Sequence, residues 1–283
     1  MMTSPGPDDL VVTQASLDDW PVVVGWAADE GWNPGLSDAP SFFAQDPEGF
    51  FVGRIAGEPV SAISVVNYGA DYAFLGFYLV RPDLRGRGYG LTTWKTALAH
   101  AGDRTVGLDG VPAQQDNYRQ SGFELAHRTA RYTGTVPAAE PASGVRPAEA
   151  ADLAAVAAYD SACSPADRPR FLEHWLAGPG HRTFVRLVDG RLTGYGVVRP
   201  ALDSLRVGPL FADSAEDARA LFTALTADAG EIAMDIPETN TAAVALAREA
   251  GLTPSFETAR MYTGPVRPFA ADRVYGITSL ELG

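Results

Sequence analysis

Residues 78–94, YLVRPDLRGRGYGLTTW, set Gly86, Gly88 and Gly90 at alternate positions between an apolar strand-like run, YAFLGFYLV (72–80), and a helix-like run, LTTWKTALAHA (91–101). N–H groups at a helix start lack intrahelical partners, and the aligned peptide dipoles leave partial positive charge there, so this turn favours an anion. Glycines let the main chain approach phosphate oxygens closely, and Arg85 and Arg87 add positive charge. A pyrophosphate suits the turn; a glycine-rich reversal with no ligand gives the same pattern. The dinucleotide-binding fingerprint fits less well, because that motif opens a βαβ unit and this strand follows two antiparallel ones.

Outward from that turn, LVVTQA (10–15) reads as a strand, and Ser16 can cap a helix carrying Leu17, Trp20, Val23 and Val24 on one side. FFVGRIAG (50–57) and PVSAISVVNYG (59–69) read as antiparallel strands about a Gly57-Glu58 turn. TVGLDGV (105–111) is a further strand, residues 114–121 a short helix, and FELAHRTARYTG (123–134) a closing strand. The same order then recurs. Thr-Ala-Arg stands seven residues after Gly122 and again after Gly251, ending at Arg131 and Arg260, an offset of 129 residues. FVGRIAGEPVSAISVV from Phe51 aligns without gaps on FVRLVDGRLTGYGVV from Phe184, an offset of 133. A period near 130 means two whole domains, since solenoid repeats run at roughly 20 to 50 residues. The Pro/Ala-rich stretch 136–144 marks the junction, which gives an N-terminal domain over 1–138 and a C-terminal domain over 139–283. The expected class is α+β, with helices on the faces of a mixed sheet in each half.

The 283 residues suffice for two cores, and 46% apolar with 20% charged residues excludes disorder and fibrous repeats. No run approaches the ~18 apolar residues of a membrane span, and MMTSPGPDDL lacks an export signal, so a cytoplasmic location is expected. Cys163 is the sole cysteine, so no internal disulfide forms, and a small buried residue is its expected role. His100, His127, His174 and His181 show no metal-binding spacing, so no metal is expected. A net charge of −13 argues against nucleic acid as a partner, but not against one anionic ligand held by local arginines.

VRPDLRGRGYG (80–90) resembles the acyl-CoA pyrophosphate loop of the GNAT superfamily of N-acyltransferases, whose Q/R-x-x-G-x-G/A pattern falls here on Arg85, Gly88 and Gly90. NYRQSGF (117–123) resembles the family's Tyr-x-x-x-Gly-Phe. The resemblance covers essentially the whole chain as two GNAT-like domains. EGWNPG (30–35), GPLFADS (208–214) and FETARMYTG (256–264) are similar to a bacterial tandem-GNAT subgroup. It implies two mixed, largely antiparallel twisted sheets, with acetyl-CoA as co-substrate lying along Tyr78, Leu79 and Val80. Its pyrophosphate would lie on Arg85, Gly86, Arg87, Gly88, Tyr89 and Gly90. Backbone N–H groups near Leu79 would face the thioester oxygen. Tyr118 is the expected general acid toward the thiolate, the alternative being aromatic packing. Asp109, near the end of its strand, is the candidate base, the alternative being a strand-end turn residue.

The family often has an asparagine seven residues before its tyrosine, where this chain has Val111. The second half has Asn240 but Ala247 at the tyrosine position, and Asp213, Glu216 and Asp217 stand where the glycine loop would be and would repel a pyrophosphate. The first domain is therefore expected to be catalytic and the second degenerate. Glu30, Trp32 and Asn33 are the candidate acceptor residues, a carboxylate beside an indole suiting a cationic amine. The expected activity is acetyl transfer to the primary amine of a small molecule by direct attack on the thioester, in a monomer or homodimer. A non-catalytic acyl-CoA sensor and an amino-sugar thiol synthase are the alternatives.

Overall fold

Alternating apolar runs form the strands in the expected order. A computed structural model describes residues 6, 9–137, 139–140 and 142–283. Ala138, where the expected domain boundary falls, and Pro141 in the junction lie outside the described residues. The first repeat supplies strands β1 (Val11–Gln14), β2 (Phe50–Ile55), β3 (Glu58–Tyr68), β4 (Tyr72–Val80), β5 (Thr105–Gly110) and β6 (Glu124–Thr135). Its helices are α1 (Trp20–Asp29), α2 (Ala39–Gln45), α3 (Tyr89–Leu98) and α4 (Gln115–Gln120). The second supplies β7 (Val145–Pro147), α5 (Leu153–Cys163), α6 (Pro169–Trp175), β8 (Arg182–Val188), β9 (Arg191–Pro200) and β10 (Leu205–Ala212). It continues with α7 (Ala215–Thr226), β11 (Glu231–Pro237), α8 (Thr241–Glu249), β12 (Thr253–Tyr262) and β13 (Val274–Gly276).

These strands join in one sheet, in the order β1-β2-β3-β4-β5-β12-β6-β11-β10-β9-β8-β7, with β13 on β10. The two repeats have exchanged their closing strands. β12 of the second repeat fills the place beside β5, and β6 of the first fills the place beside β11. The two exchanged strands pair antiparallel with each other, and Thr129 faces Thr258. The duplicated Thr-Ala-Arg triplets thus meet at the centre of the sheet, where a pseudo-two-fold relates the halves.

The hairpin turn between β2 and β3 sits one residue earlier than the sequence suggests. Ala56 and Gly57 have φ of +50° and +87°, and Asp189 and Gly190 repeat this at +51° and +77°. Two successive left-handed residues match the twist of the flanking strands, the reason such turns recur in two-residue hairpins. Ser16 does precede the first helical segment, but Leu17 is 42% exposed while Trp20 and Val23 are fully buried. Cys163 is buried. One core cluster spans both repeats: Phe42 of α2 stacks on Trp175 of α6 at 6.0 Å between ring centroids, and Phe77 of β4 packs edge-on against Trp20 at 5.3 Å. Among the described residues no helix is long and apolar enough to cross a membrane.

Candidate active site

β4 and β5 pair in parallel from Tyr72 opposite Thr105 to Leu75 opposite Leu108, and there the pairing stops although β4 runs on to Val80. The strands splay apart beyond that point. On the other edge of β4, Leu79 faces Ala62 and Gly76 faces Ser64, so Phe77 and Tyr78 together oppose the single residue Ile63. This is a β-bulge, which bends a strand and re-aims its groups. Phe77 has φ of +47° there. An aromatic residue in the left-handed region costs about 1–3 kcal/mol and persists where the surrounding structure holds it, as at ligand sites.

A cavity of about 390 Å³ opens at the splay. Its walls bring together Tyr78, Leu79, Val80, Arg85, Asp109 and Tyr118 with Glu30 and Trp32. Gly86, Arg87, Gly88, Tyr89 and Gly90 form the adjoining turn and the first turn of α3, outside the lining. Gly86 and Gly88 have φ of +75° and +86°, positions that favour glycine. Gly88 is the N-cap of α3, so no side chain of the N-cap residue covers the helix start. A Cβ at Gly90 would stand 2.7 Å from the Tyr78 hydroxyl, so glycine lets that ring lie against the helix start. Arg85 donates to the Val80 carbonyl at 3.0 Å and pairs with Glu30, while Arg87 donates to the Asp83 carbonyl.

Tyr118 is 8% exposed, on α4. Trp94 of α3 stacks on its ring at 5.7 Å, and a Cβ at Gly110 would come within 2.8 Å of that ring. The phenol is therefore held over the end of β5. Burial pushes its pKa well above the usual tyrosine value, so it stays protonated at neutral pH.

Asp109 also lines the cavity, but both its oxygens are taken by Arg260 of β12, at 2.9 and 2.7 Å. Burial pushes this carboxyl up and the guanidinium opposes that shift, while Arg260 is held firmly charged. The geometry thus places Asp109, the candidate base, in a buried ion pair. Asn33 does not line the cavity: it donates to the Ser204 hydroxyl at 2.9 Å and accepts from the Asp203 N–H at 3.0 Å, clasping the second repeat.

Sequence reasoning named no cavity residue of the second repeat. Phe256 and Thr258 of β12 and Leu280 and Glu281 of the segment after β13 complete the lining. The glycines carried the available signal: a Cβ at Gly76 would overlap the Glu281 carbonyl oxygen, so glycine admits that segment directly onto β4.

In the second repeat the corresponding helix start is closed. Ser214 caps α7 by accepting from the Asp217 N–H at 3.1 Å, and the Asp217 carboxylate is engaged by Arg186, Thr193 and Ser214. Asp213 is likewise held by Tyr159, Arg191 and Arg273. Asp213 and Asp217 thus occupy this helix start in ion pairs, while Glu216 beside them is exposed. Asn240 caps α8 and donates to the carbonyls of Asp272 and Val274, a structural role.

The model of the acetyltransferase (GNAT) family matches residues 12–123, and that of the acetyltransferase (GNAT) domain matches residues 156–276. Holothin acyltransferase of Pseudoalteromonas sp. (strain SANK 73390) is 35% identical over 273 residues, 95% of this chain and 93% of that protein. The chain belongs to the tandem GNAT acyltransferases. Two solved structures share the GNAT fold across nearly the whole chain. One, from Pyrococcus horikoshii and described as an acetyltransferase, is 22% identical with a TM-score of 0.84, covering 100% of this chain and 99% of that one. The other, a tandem GNAT protein from the clavulanic acid biosynthesis pathway, is 18% identical with a TM-score of 0.63, covering 90% and 99%.

Proposed function

We propose that this GNAT chain transfers an acetyl group from acetyl-CoA to the primary amine of a small molecule, with the chemistry confined to the first repeat. The observation that carries this reading is the contrast between two helix starts. That of α3 is glycine-rich, has a glycine as its N-cap residue and lies next to the cavity, whereas that of α7 is filled by its own serine and aspartate. Acetyl-CoA, when bound, supplies an activated thioester. The glycine-rich turn at 86–90, leading into α3, suits its pyrophosphate, and Arg85 is placed to exchange its contact with Glu30 for a phosphate oxygen. Past Leu75 the splay leaves main-chain groups of β4 free of a strand partner, and donors near Leu79 would hold the thioester oxygen as it gains charge.

Tyr118 remains protonated under physiological conditions and donates a hydrogen bond that strengthens as the leaving sulfur becomes anionic. In this reading Asp109 stiffens the end of β5 through Arg260 and acts through position rather than as the base. The relative named for acylating holothin supports acyl transfer to a small molecule. Thiol release from acetyl-CoA across a panel of primary amines, together with calorimetry, tests the proposal. One acetyl-CoA per chain and amine-dependent release are expected. Binding without release for every amine would favour a sensor, and two equivalent sites would refute the assignment to the first repeat.

A further inference from the structure

The aspartates at equivalent places in the two repeats are held differently. Arg260 grips Asp109 of β5, whereas two arginines, Arg131 of β6 and Arg206 of β10, grip Asp235 of β11. The strand ladders set Arg206 opposite Ala233, and Phe74 opposite Gly107, in each case two residues before the aspartate. The second repeat thus carries an arginine where the first has a phenylalanine. One arginine is enough to hold an aspartate across the repeats, as Asp109 shows, and a second buried guanidinium is costly to desolvate.

The remaining donors of these arginines point to its use. Arg131 Nη1 donates to the Trp32 carbonyl at 2.6 Å, and Arg206 Nη1 donates to the Asn33 carbonyl at 3.2 Å. Two successive carbonyls of the loop after α1 are therefore tied to one aspartate of the second repeat. The Arg131 guanidinium also lies over the Phe256 ring, 5.6 Å from its centroid, and Arg206 Nη1 reaches Glu281 Oε1 at 3.3 Å. Trp32, Phe256 and Glu281 line the cavity, whereas Arg131, Arg206 and Asp235 are buried outside its lining. The donors of a guanidinium are fixed in one plane, so each arginine passes the position of Asp235 on to the wall residue that it touches.

We infer that Asp235, through Arg131 and Arg206, positions Trp32 and Phe256 as walls of the acceptor site, so that the second repeat sets acceptor recognition in the first. The inference rests on the reading of the cavity as an amine-acylating site. Asp235, Arg131 and Arg206 are positioning residues: they touch neither acceptor nor cofactor, and they act by fixing where the indole and the phenyl ring stand. The place in the second repeat that corresponds to the candidate base of the first thus serves as the anchor of the other repeat's cavity.

The test uses the full chain and two readouts, amide hydrogen exchange over residues 28–38 and calorimetric titration of tyramine into the CoA-saturated protein. Tyramine offers a ring to the aromatic walls and polar ends to the others. The double variant Arg206→Phe with Glu281→Gln copies the first repeat and leaves no unpaired carboxylate, and Glu281→Gln alone is its reference. The Trp32 N–H donates to the Ala27 carbonyl and the Leu36 N–H to the Pro200 carbonyl, both at 3.0 Å. These amides should exchange at least roughly tenfold faster in the double variant than in the reference. Tyramine affinity should fall by at least roughly tenfold, since a misplacement of ~1 Å can cost about 100-fold, while CoA affinity changes little. Unchanged exchange, equal tyramine affinity, a parallel loss of CoA affinity, or no tyramine binding by the wild type overturns the inference. Should the double variant lose its melting transition, Arg206→Lys decides: its single ammonium can stay on Asp235 but lacks the second nitrogen that reaches Asn33, so faster exchange and weaker tyramine binding must persist. Thiol release separates this inference from the broader reading. Release with the same KM for tyramine in reference and double variant sinks the inference alone, whereas weakened tyramine binding with no release from acetyl-CoA in the wild type sinks the acyl-transfer reading.

Discussion

Arg260 on β12 grips both carboxylate oxygens of Asp109 on β5, across the boundary between the two repeats. The pseudo-two-fold repeats the device: Arg131 on β6 holds Asp235 on β11 at 2.7 and 3.1 Å. Each arginine is the third residue of a duplicated Thr-Ala-Arg triplet, and each reaches the aspartate of the other repeat. The exchanged strands are therefore locked by charge as well as by ladder hydrogen bonds.

Removing one partner of such a buried pair leaves an uncompensated charge. Arg260→Met should destabilise the chain by about 3–5 kcal/mol, and the double variant with Asp109→Leu should recover much of that loss. Urea unfolding of the three proteins measures both effects. A single variant as stable as the wild type would mean that the pair does not hold the exchange.

The exchange also predicts how fragments behave. A fragment 1–137 lacks β12 beside β5, and a fragment 139–283 lacks β6 beside β11, so each exposes a sheet edge that the other covers. Expressed separately they should be insoluble or unfolded, and expressed together they should associate. Two independently folded, monomeric halves on gel filtration would contradict this strand order.

His127 lies beside Arg260 in the sheet, with its Nε2 buried and without a partner. Burial is the main cause that lowers its pKa from 6.5 to about 4, and Arg260 lowers it further. A depressed histidine favours the folded state while it is neutral, so this stability is complete above the unfolded pKa near 6.5. It is lost as pH falls toward 4, by about 3 kcal/mol. His127→Gln should flatten the pH dependence of unfolding free energy in that window. An unaltered slope would show that His127 titrates alike folded and unfolded.

Arg85 and Glu30 predict effects of opposite sign. Arg85→Ala removes a charge-assisted phosphate contact and should weaken acetyl-CoA binding by about one to two orders of magnitude. Glu30→Gln removes the carboxylate competing for that guanidinium and should tighten binding. Isothermal titration of both variants decides it, and weaker binding in Glu30→Gln would assign Glu30 a different part in the cofactor site.

Tyr118→Phe keeps the ring that stacks on Trp94 while deleting the hydroxyl. Turnover should fall by about 100- to 10,000-fold with acetyl-CoA affinity little changed. Because burial raises the phenol's pKa, its ionisation should cause no loss of wild-type activity below pH ~10. Near-normal turnover of the variant would leave Tyr118 with packing alone, and a parallel loss of affinity would make it a cofactor-positioning residue.

The turn at 86–90, the order of the elements apart from α2 and α6, and the duplication were legible in the sequence because each rests on local chemistry: left-handed glycines, strand periodicity and repeated triplets. The position of Tyr118 on the cavity followed from its spacing to Gly122 once the family resemblance was in hand. Which sheet each closing strand joins was not legible. β6 and β12 share the same Thr-Ala-Arg core and nearly the same apolar pattern, so either satisfies the open edge of either repeat. The cross-repeat ladders and the reciprocal pairs Arg260–Asp109 and Arg131–Asp235 record which choice the chain made. The same holds for the segment after β13. Nothing within residues 277–283 marks a cavity wall; Leu280 and Glu281 become one because Gly76, some two hundred positions earlier, leaves room for the segment against the bulge of β4. Local sequence determines which backbone shapes are cheap, whereas a contact between distant segments depends on the space and charge that folding leaves between them.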